Sequence, residues 1–200
     1  MSPMEARIGY VFKDKGLLAQ ALTHSSAGAR NYERLEFLGD RVLGVVVANW
    51  LLESFAEAPE GELSRRHMAL VRESALVTVA EGWGVPAQIV LGPGEGVKPS
   101  IVGDVVEAIL GAVWLESGLD AVTAIVKRDW APMIEGSEAK DPKTRLQELV
   151  QGKGGALPAY DVVAEDGPAL GAAAGTGRSK QAAGTEAAKE LLKRLDDKND

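Results

Sequence analysis

The chain has 200 residues, 46% of them hydrophobic, and a formal charge of −7, enough apolar material for one sizeable core, alone or with a small second domain. It contains no cysteine, which excludes a disulfide framework, thiolate metal sites and cysteine nucleophiles and fits a reducing, cytoplasmic setting. The N-terminal MSPMEARIGY lacks the apolar core of a signal peptide, and the longest apolar run, 42–52, is short of the roughly 20 residues of a membrane helix, so no membrane contact is expected.

Net acidity argues, taken alone, against a nucleic-acid partner, which ordinarily needs a basic surface. The charge is unevenly spread, however. From Pro142 onward nine basic residues offset nine acidic ones, so the whole excess lies in residues 1–141. A compact set of acids there would suit metal ligation, with bound cations offsetting its charge.

Residues 5–135 read as helical almost throughout. Leu17, Leu18, Ala21 and Leu22 recur at helical spacing, followed by Leu35, Leu38, Val42, Val45, Val46 and Trp50, then by the stretches 64–80 and 101–115. GVPAQ and LGPGEGVKPS punctuate this helical bundle, the second as a surface loop. Polar IEGSEAKD gives a linker at 136–141 between a first domain, 1–135, and a second, 142–200. The second reads as a short helix from Pro142, a strand with Tyr160, Val162 and Val163, a glycine-rich stretch and a closing helix over 179–195, hence a small α+β module.

Three acids stand out. In NYERLEFLGD, Glu33, Glu36 and Asp40 fall at i, i+3 and i+7, one helix face over two turns. A solvated stripe is the ordinary explanation, but Gly39 and Gly44 allow close backbone packing, and a second acid pair, Asp104 and Glu107, sits in the apolar helix IVGDVVEAILGAVWL. Acids among apolar residues need compensating charge, and that helix offers no basic residue nearby. Mg²⁺ or Mn²⁺ would serve, because hard carboxylate oxygens suit them and substrate phosphate can complete the octahedron.

NYERLEFLGDRVLG resembles the motif of the ribonuclease III family of double-stranded-RNA endonucleases. ALTHSS, EGELS and GDVVEAILGAVWLESG extend the resemblance over residues 5–130, while DPKTRLQELVQ and GTGRSK resemble parts of the double-stranded-RNA-binding domain that follows in that family. The fold this implies is an all-α ribonuclease III catalytic domain followed by a small α+β RNA-binding domain. It implies Glu36, Asp40, Asp104 and Glu107 as metal-binding acids, Asp40 and Glu107 being also catalytic, with Glu33 and Glu60 handling substrate. Phe37 corresponds to an aromatic that fits a socket on the partner subunit of a homodimer. The cofactor would be Mg²⁺, with Mn²⁺ substituting, and the reaction hydrolysis of structured RNA precursors to 5′-phosphate and 3′-hydroxyl ends with short 3′ overhangs.

In the second domain Thr144, Gln147 and Glu148 would reach 2′-hydroxyls of the duplex, and Arg178, Ser179 and Lys180 its phosphates. The sequence departs from the family here. GAAAGTGRSK follows DGPAL directly where a further strand is usual, so a shortened domain is expected, and Gln181 stands where a second lysine is common. Two other readings stay open: a non-cleaving structured-RNA-binding protein of the same fold, and a phosphohydrolase of small nucleotides. Elsewhere, His24 is expected to make structural hydrogen bonds and His67 to be exposed, and Arg65 and Arg66 read as either RNA contacts or a solvated face. Trp50, Trp83, Trp114 and Trp130 should be core or interface residues.

Overall fold

In the computed structural model, which describes residues 1–138, 142–152, 158 and 180–196, the chain begins with a tightly capped turn. Helix α1 (Pro3–Ile8) opens on a capping box in which Ser2 Oγ accepts from the Glu5 N–H at 3.2 Å and Glu5 Oε2 accepts from the Ser2 N–H at 2.7 Å. Glu5 is 2% exposed. Its other oxygen accepts from the Phe12 N–H at 3.0 Å and from the Lys15 ammonium. Lys15 above all, then these backbone donors, hold its carboxyl down to about 2 from the ordinary 4.5. The folded state therefore binds this proton less readily than the unfolded chain. The stabilisation is fully present above pH 4.5 and is lost as pH falls through about 2. Glu5→Gln should lower the melting temperature at pH 7 and flatten its fall over that acid window, a comparison that thermal melts across pH make directly.

Helix α2 (Lys15–Ala21) starts on Asp14, whose carboxylate accepts from the Gly16 N–H at 2.7 Å. A 3-10 turn (Ser25–Ala27) leads into the long helix α3 (Glu33–Ser54). Helices α4 (Glu60–Val71) and α5 (Glu73–Trp83) follow, where the sequence reads as one periodic stretch, 64–80. Arg72, extended at φ −68° and ψ 155°, ends one helix and begins the other. The turn lets Leu70 and Leu76 both reach the core. Gly84, at φ 75°, closes α5 and donates to the Ala80 and Glu81 carbonyls, in the left-handed region where glycine carries no Cβ penalty.

Helix α6 (Pro99–Asp129) forms the axis of the bundle and runs well past the expected 101–115. It is interrupted at Gly118, φ 74° and ψ −170°. Just before the interruption, Glu116 accepts from the Tyr10 hydroxyl at 2.6 Å and from the Lys13 and Asp14 N–H groups at 2.9 and 2.8 Å, fastening the N-terminal segment to α6. By length and apolarity alone α6 passes for a membrane-crossing helix, with mean hydropathy 1.6 over its most apolar window. Here α3, α5 and α2 all pack against it. Trp130, after α6, is fully buried, stands edge-on to Trp83 at 6.3 Å, and donates to the Leu70 carbonyl at 2.9 Å. Trp50 is half-buried, and Trp114 is 37% exposed.

After α7 (Ala131–Ile134), residues Glu135–Glu138 form a 3-10 turn packed on α4, so 136–138 belong to the first compact unit instead of a linker. The reason is local satisfaction of polar groups: Ser137 is buried, donates to the Ile134 carbonyl and accepts from Arg66 at 3.4 Å. The chain divides into Met1–Glu138 and Ala139–Asp200. In the second unit α8 (Pro142–Gly152) packs on α9 (Lys180–Asp196) through Leu146 and Ala188, flanked by Leu149, Val150 and Leu191. The expected strand with Tyr160, Val162 and Val163 lies outside the described residues.

Candidate active site

The site is made by the crossing of α3 and α6. A Cβ on Gly39 would overlap the Glu107 carbonyl, and one on Gly111 would overlap the Leu35 carbonyl, so the two backbones touch at these glycines. The acids flank that contact. Glu36 and Asp40 stand either side of Gly39 on α3, Asp104 and Glu107 lie on the facing stretch of α6, and all four are half-buried. Glu33, at the first residue of α3, is exposed.

Their electrostatics are those of a crowded set of carboxylates. Burial pushes the Glu107 carboxyl up to about 8, and the charges of Asp40, Glu36 and Asp104 add to the effect. Glu36 is raised by burial, then by Asp104 and Asp40. Burial raises Asp104 too, against a hydrogen bond from Tyr32 that favours its ionised form. Asp40 Oδ2 accepts from Arg41 at 2.6 Å, while the same guanidinium lies 4.2 Å over the Phe37 ring.

Among the described residues no three Asp, Glu or His side chains converge closely enough to hold a cation as they stand. The donor chemistry nonetheless fits a hard divalent ion, because a bound cation would offset the charge that now raises Glu36, Asp104 and Glu107.

Glu60 stands apart from these acids, at the N-terminus of α4, where it accepts from Ser64 Oγ at 2.7 Å. It lines a cavity of about 420 Å³ together with Ala48, Leu51, Leu52, Leu63, His67 and Met68. Phe37 points outward and is 61% exposed.

Tyr32, which its sequence position alone did not single out, is 4% exposed and donates from its hydroxyl to Asp104 Oδ2 at 3.0 Å. The available signal was a tyrosine directly ahead of the acid helix. His24 makes the structural bonds expected of it: its Nδ1 accepts from the Ser26 N–H at 3.1 Å, and its ring meets Tyr32 edge-on at 5.6 Å. His67 differs from expectation, being half-buried with Nε2 at 3.0 Å from the Gly44 carbonyl. Arg66 differs as well: it is buried over the Phe55 ring at 3.8 Å and bonded to Glu62, so it is not available to RNA. In the second unit Gln147 is exposed on α8, and Lys180 is exposed at the start of α9. Thr144 and Glu148 belong to α8, their side chains outside the description, and Arg178 and Ser179 lie outside the described residues.

The Ribonuclease-III-like family model matches residues 14–134, which include both acid helices and the α4 segment between them. The chain belongs to the ribonuclease III family. It is 40% identical to the ribonuclease 3 of Zymomonas mobilis across 96% of this chain and 86% of that protein. That match runs over 212 aligned positions, more than the 200 residues of this chain, so the relative carries residues that this one lacks. Among solved structures, the nuclease domain of ribonuclease III from Campylobacter jejuni, described for structural flexibility in a region involved in dimer formation, superposes with a TM-score of 0.63. It is 40% identical, covering 68% of this chain and 96% of its own. Dicer from Pichia stipitis is 25% identical with a TM-score of 0.53, covering 90% of this chain and 94% of its own. All-helical ribonuclease III architecture is thus the observed fold of the first unit.

Proposed function

We propose that the chain is an endoribonuclease that hydrolyses phosphodiester bonds in double-stranded RNA, working as a cytoplasmic homodimer with Mg²⁺, for which Mn²⁺ substitutes. The observation that carries this reading is the glycine crossing, which sets Glu36 and Asp40 against Asp104 and Glu107 in a half-buried site where the proton affinities of Glu36, Asp104 and Glu107 are raised. These four residues would hold the cations, and a bound ion supplies there an acidified water and stabilisation of the departing 3′ oxygen. The half-exposed rim of the site leaves the phosphates of a duplex free to approach. Apolar helix surroundings limit competing water and strengthen each charge interaction. The products are 5′-phosphate and 3′-hydroxyl ends with short 3′ overhangs, and the natural substrates are ribosomal and other structured RNA precursors.

Pairing of two copies accounts for the residues that the single chain leaves apart. Exposed Phe37 has the size and polarity to fill the apolar cavity of a partner, and that cavity is rimmed by Glu60. Because Phe37 is next to Glu36 in sequence, seating it there brings the Glu60 of the partner toward the acid site, where with Glu33 it would handle substrate. Residues 142–200 act as a shortened RNA-binding domain, in which Gln147, Thr144 and Glu148 on α8 contact the minor groove and Arg178, Ser179 and Lys180 contact phosphates.

The test is cleavage of a long generic RNA duplex with Mg²⁺ or with EDTA, beside single-stranded RNA and duplex DNA. Mg²⁺-dependent cutting of the RNA duplex alone is expected. A duplex that is bound yet stays intact with either Mg²⁺ or Mn²⁺ would make this a non-cleaving RNA-binding protein.

A further inference from the structure

We infer that Tyr32 is a positioning residue of this site: its hydroxyl fixes the carboxylate of Asp104 in one orientation, so that the free oxygen is presented for metal binding. The inference rests on the proposed metal-dependent reading of the four acids. Tyr32 lies just before the first residue of α3 and Asp104 lies on α6, yet the hydroxyl donates to Oδ2 at 3.0 Å. Each end of that bond is held independently.

The tyrosine backbone is fixed at both its polar groups. Its N–H donates to the Thr23 carbonyl at 2.9 Å, and its own carbonyl accepts from the Leu35 and Glu36 N–H groups at 2.8 and 2.9 Å. One residue therefore starts the turn that carries Glu36 and reaches across to orient Asp104. The ring is clamped in turn by His24, edge-on at 5.6 Å, on a segment that pairs with Val90 through His24 N–H to the Val90 carbonyl at 2.9 Å. A side chain 4% exposed and packed in this way has little freedom to swing.

A tyrosine is suited to the task because its hydroxyl donates to an acceptor-only carboxylate and carries no charge of its own to compete with a cation. Asp104 on an unsupported stem would rotate among its χ2 positions, and metal binding would have to select one. Partners of this type, one bond removed from a metal, typically change metal affinity or activity by roughly 10–100-fold when removed.

The experiment is Mn²⁺ binding to the full chain by calorimetry in the absence of RNA, for the wild type, Tyr32→Phe, Asp104→Asn and the double variant, with melting temperatures alongside. Tyr32→Phe should weaken Mn²⁺ binding about tenfold and raise by a similar factor the Mg²⁺ concentration needed for half-maximal cleavage, with the rate recovering at saturating Mg²⁺. In the Asp104→Asn background the same change should have no further effect on Mn²⁺ binding. Equal Mn²⁺ affinity of Tyr32→Phe and the wild type overturns the positioning role and leaves the metal-dependent reading standing. An undiminished effect of Tyr32→Phe on top of Asp104→Asn overturns it too, since the hydroxyl would then act through the fold instead of through Asp104. Failure of the wild type to bind Mn²⁺ at all overturns the metal-dependent reading itself.

Discussion

Glu107→Gln should abolish RNA cleavage while leaving the protein folded, dimeric and, without metal, more heat-stable than the wild type. The loss of rate should be at least roughly 10²–10³-fold, the scale of deleting one group that stabilises charge in a transition state. The opposite sign for stability follows from the site. Glu107 is half-buried, and desolvation, with the repulsion of Asp40, Glu36 and Asp104 added, raises its carboxyl from 4.5 to about 8. A raised folded value means that the stability it permits is fully present below pH 4.5, where the unfolded chain is protonated too, and is lost as pH rises through about 8. Gln keeps the shape and removes the titration. At pH 8 in EDTA the variant should melt above the wild type, and the two should converge toward pH 4.5. An inactive variant that also melts lower, or no longer dimerises, would instead mark Glu107 as a structural residue.

Gly39→Ala should be among the most damaging single-methyl changes in the chain. The new Cβ would meet the carbonyl of Glu107, a backbone atom that cannot rotate aside, so α3 and α6 must separate. Overpacking typically costs about 1–3 kcal/mol, and at the upper end of that range, expected where the obstruction is backbone, the melting temperature of a unit this size falls by roughly 10 °C. Separation acts on chemistry as well, because it widens the gap between the two acid pairs. The metal concentration needed for cleavage should rise even where the variant stays folded. Gly82→Ala is the control. Gly82 lies inside α5, where an added Cβ meets nothing within 4 Å, so this change should stabilise by about 0.5–1 kcal/mol. Differential scanning calorimetry of the pair reads both predictions, and equal stabilities would remove the glycine contact as the reason the acids meet.

The acid site was more legible in the sequence than the details that support it. Spacing put Glu33, Glu36 and Asp40 on one face of α3, an acid pair in an apolar helix marked Asp104 and Glu107, Gly39 pointed to close packing, and the resemblance to ribonuclease III narrowed the acids to the four at the crossing. The first three are local signals with fixed periods. The bond from Tyr32 to Asp104 joins residues 72 apart, and no local pattern encodes which partner a buried hydroxyl finds. The break at Arg72 was hidden because neither glycine nor proline marks it and the apolar period continues on both sides. Arg66 reads as a surface cation paired with Glu62 one turn earlier on α4, until the fold brings the Phe55 ring against it and buries it. Residues 136–138 look like linker because their order comes from Ser137 satisfying its hydroxyl on Ile134 and Arg66.

The apolarity of α6 has a consequence for the chain while it is being made. Before α3 and α5 are in place around it, Pro99–Asp129 offers a hydrophobic stretch of the length and mean hydropathy that a translocation channel accepts for insertion. Glu116 and Asp120 interrupt the most apolar part of that stretch, and a charged residue near the middle of such a segment disfavours insertion by about 2.5–3.5 kcal/mol. These two carboxylates would thus help keep the nascent helix in water long enough to find its partners, and variants that neutralise both would face a sorting problem before they faced a packing one.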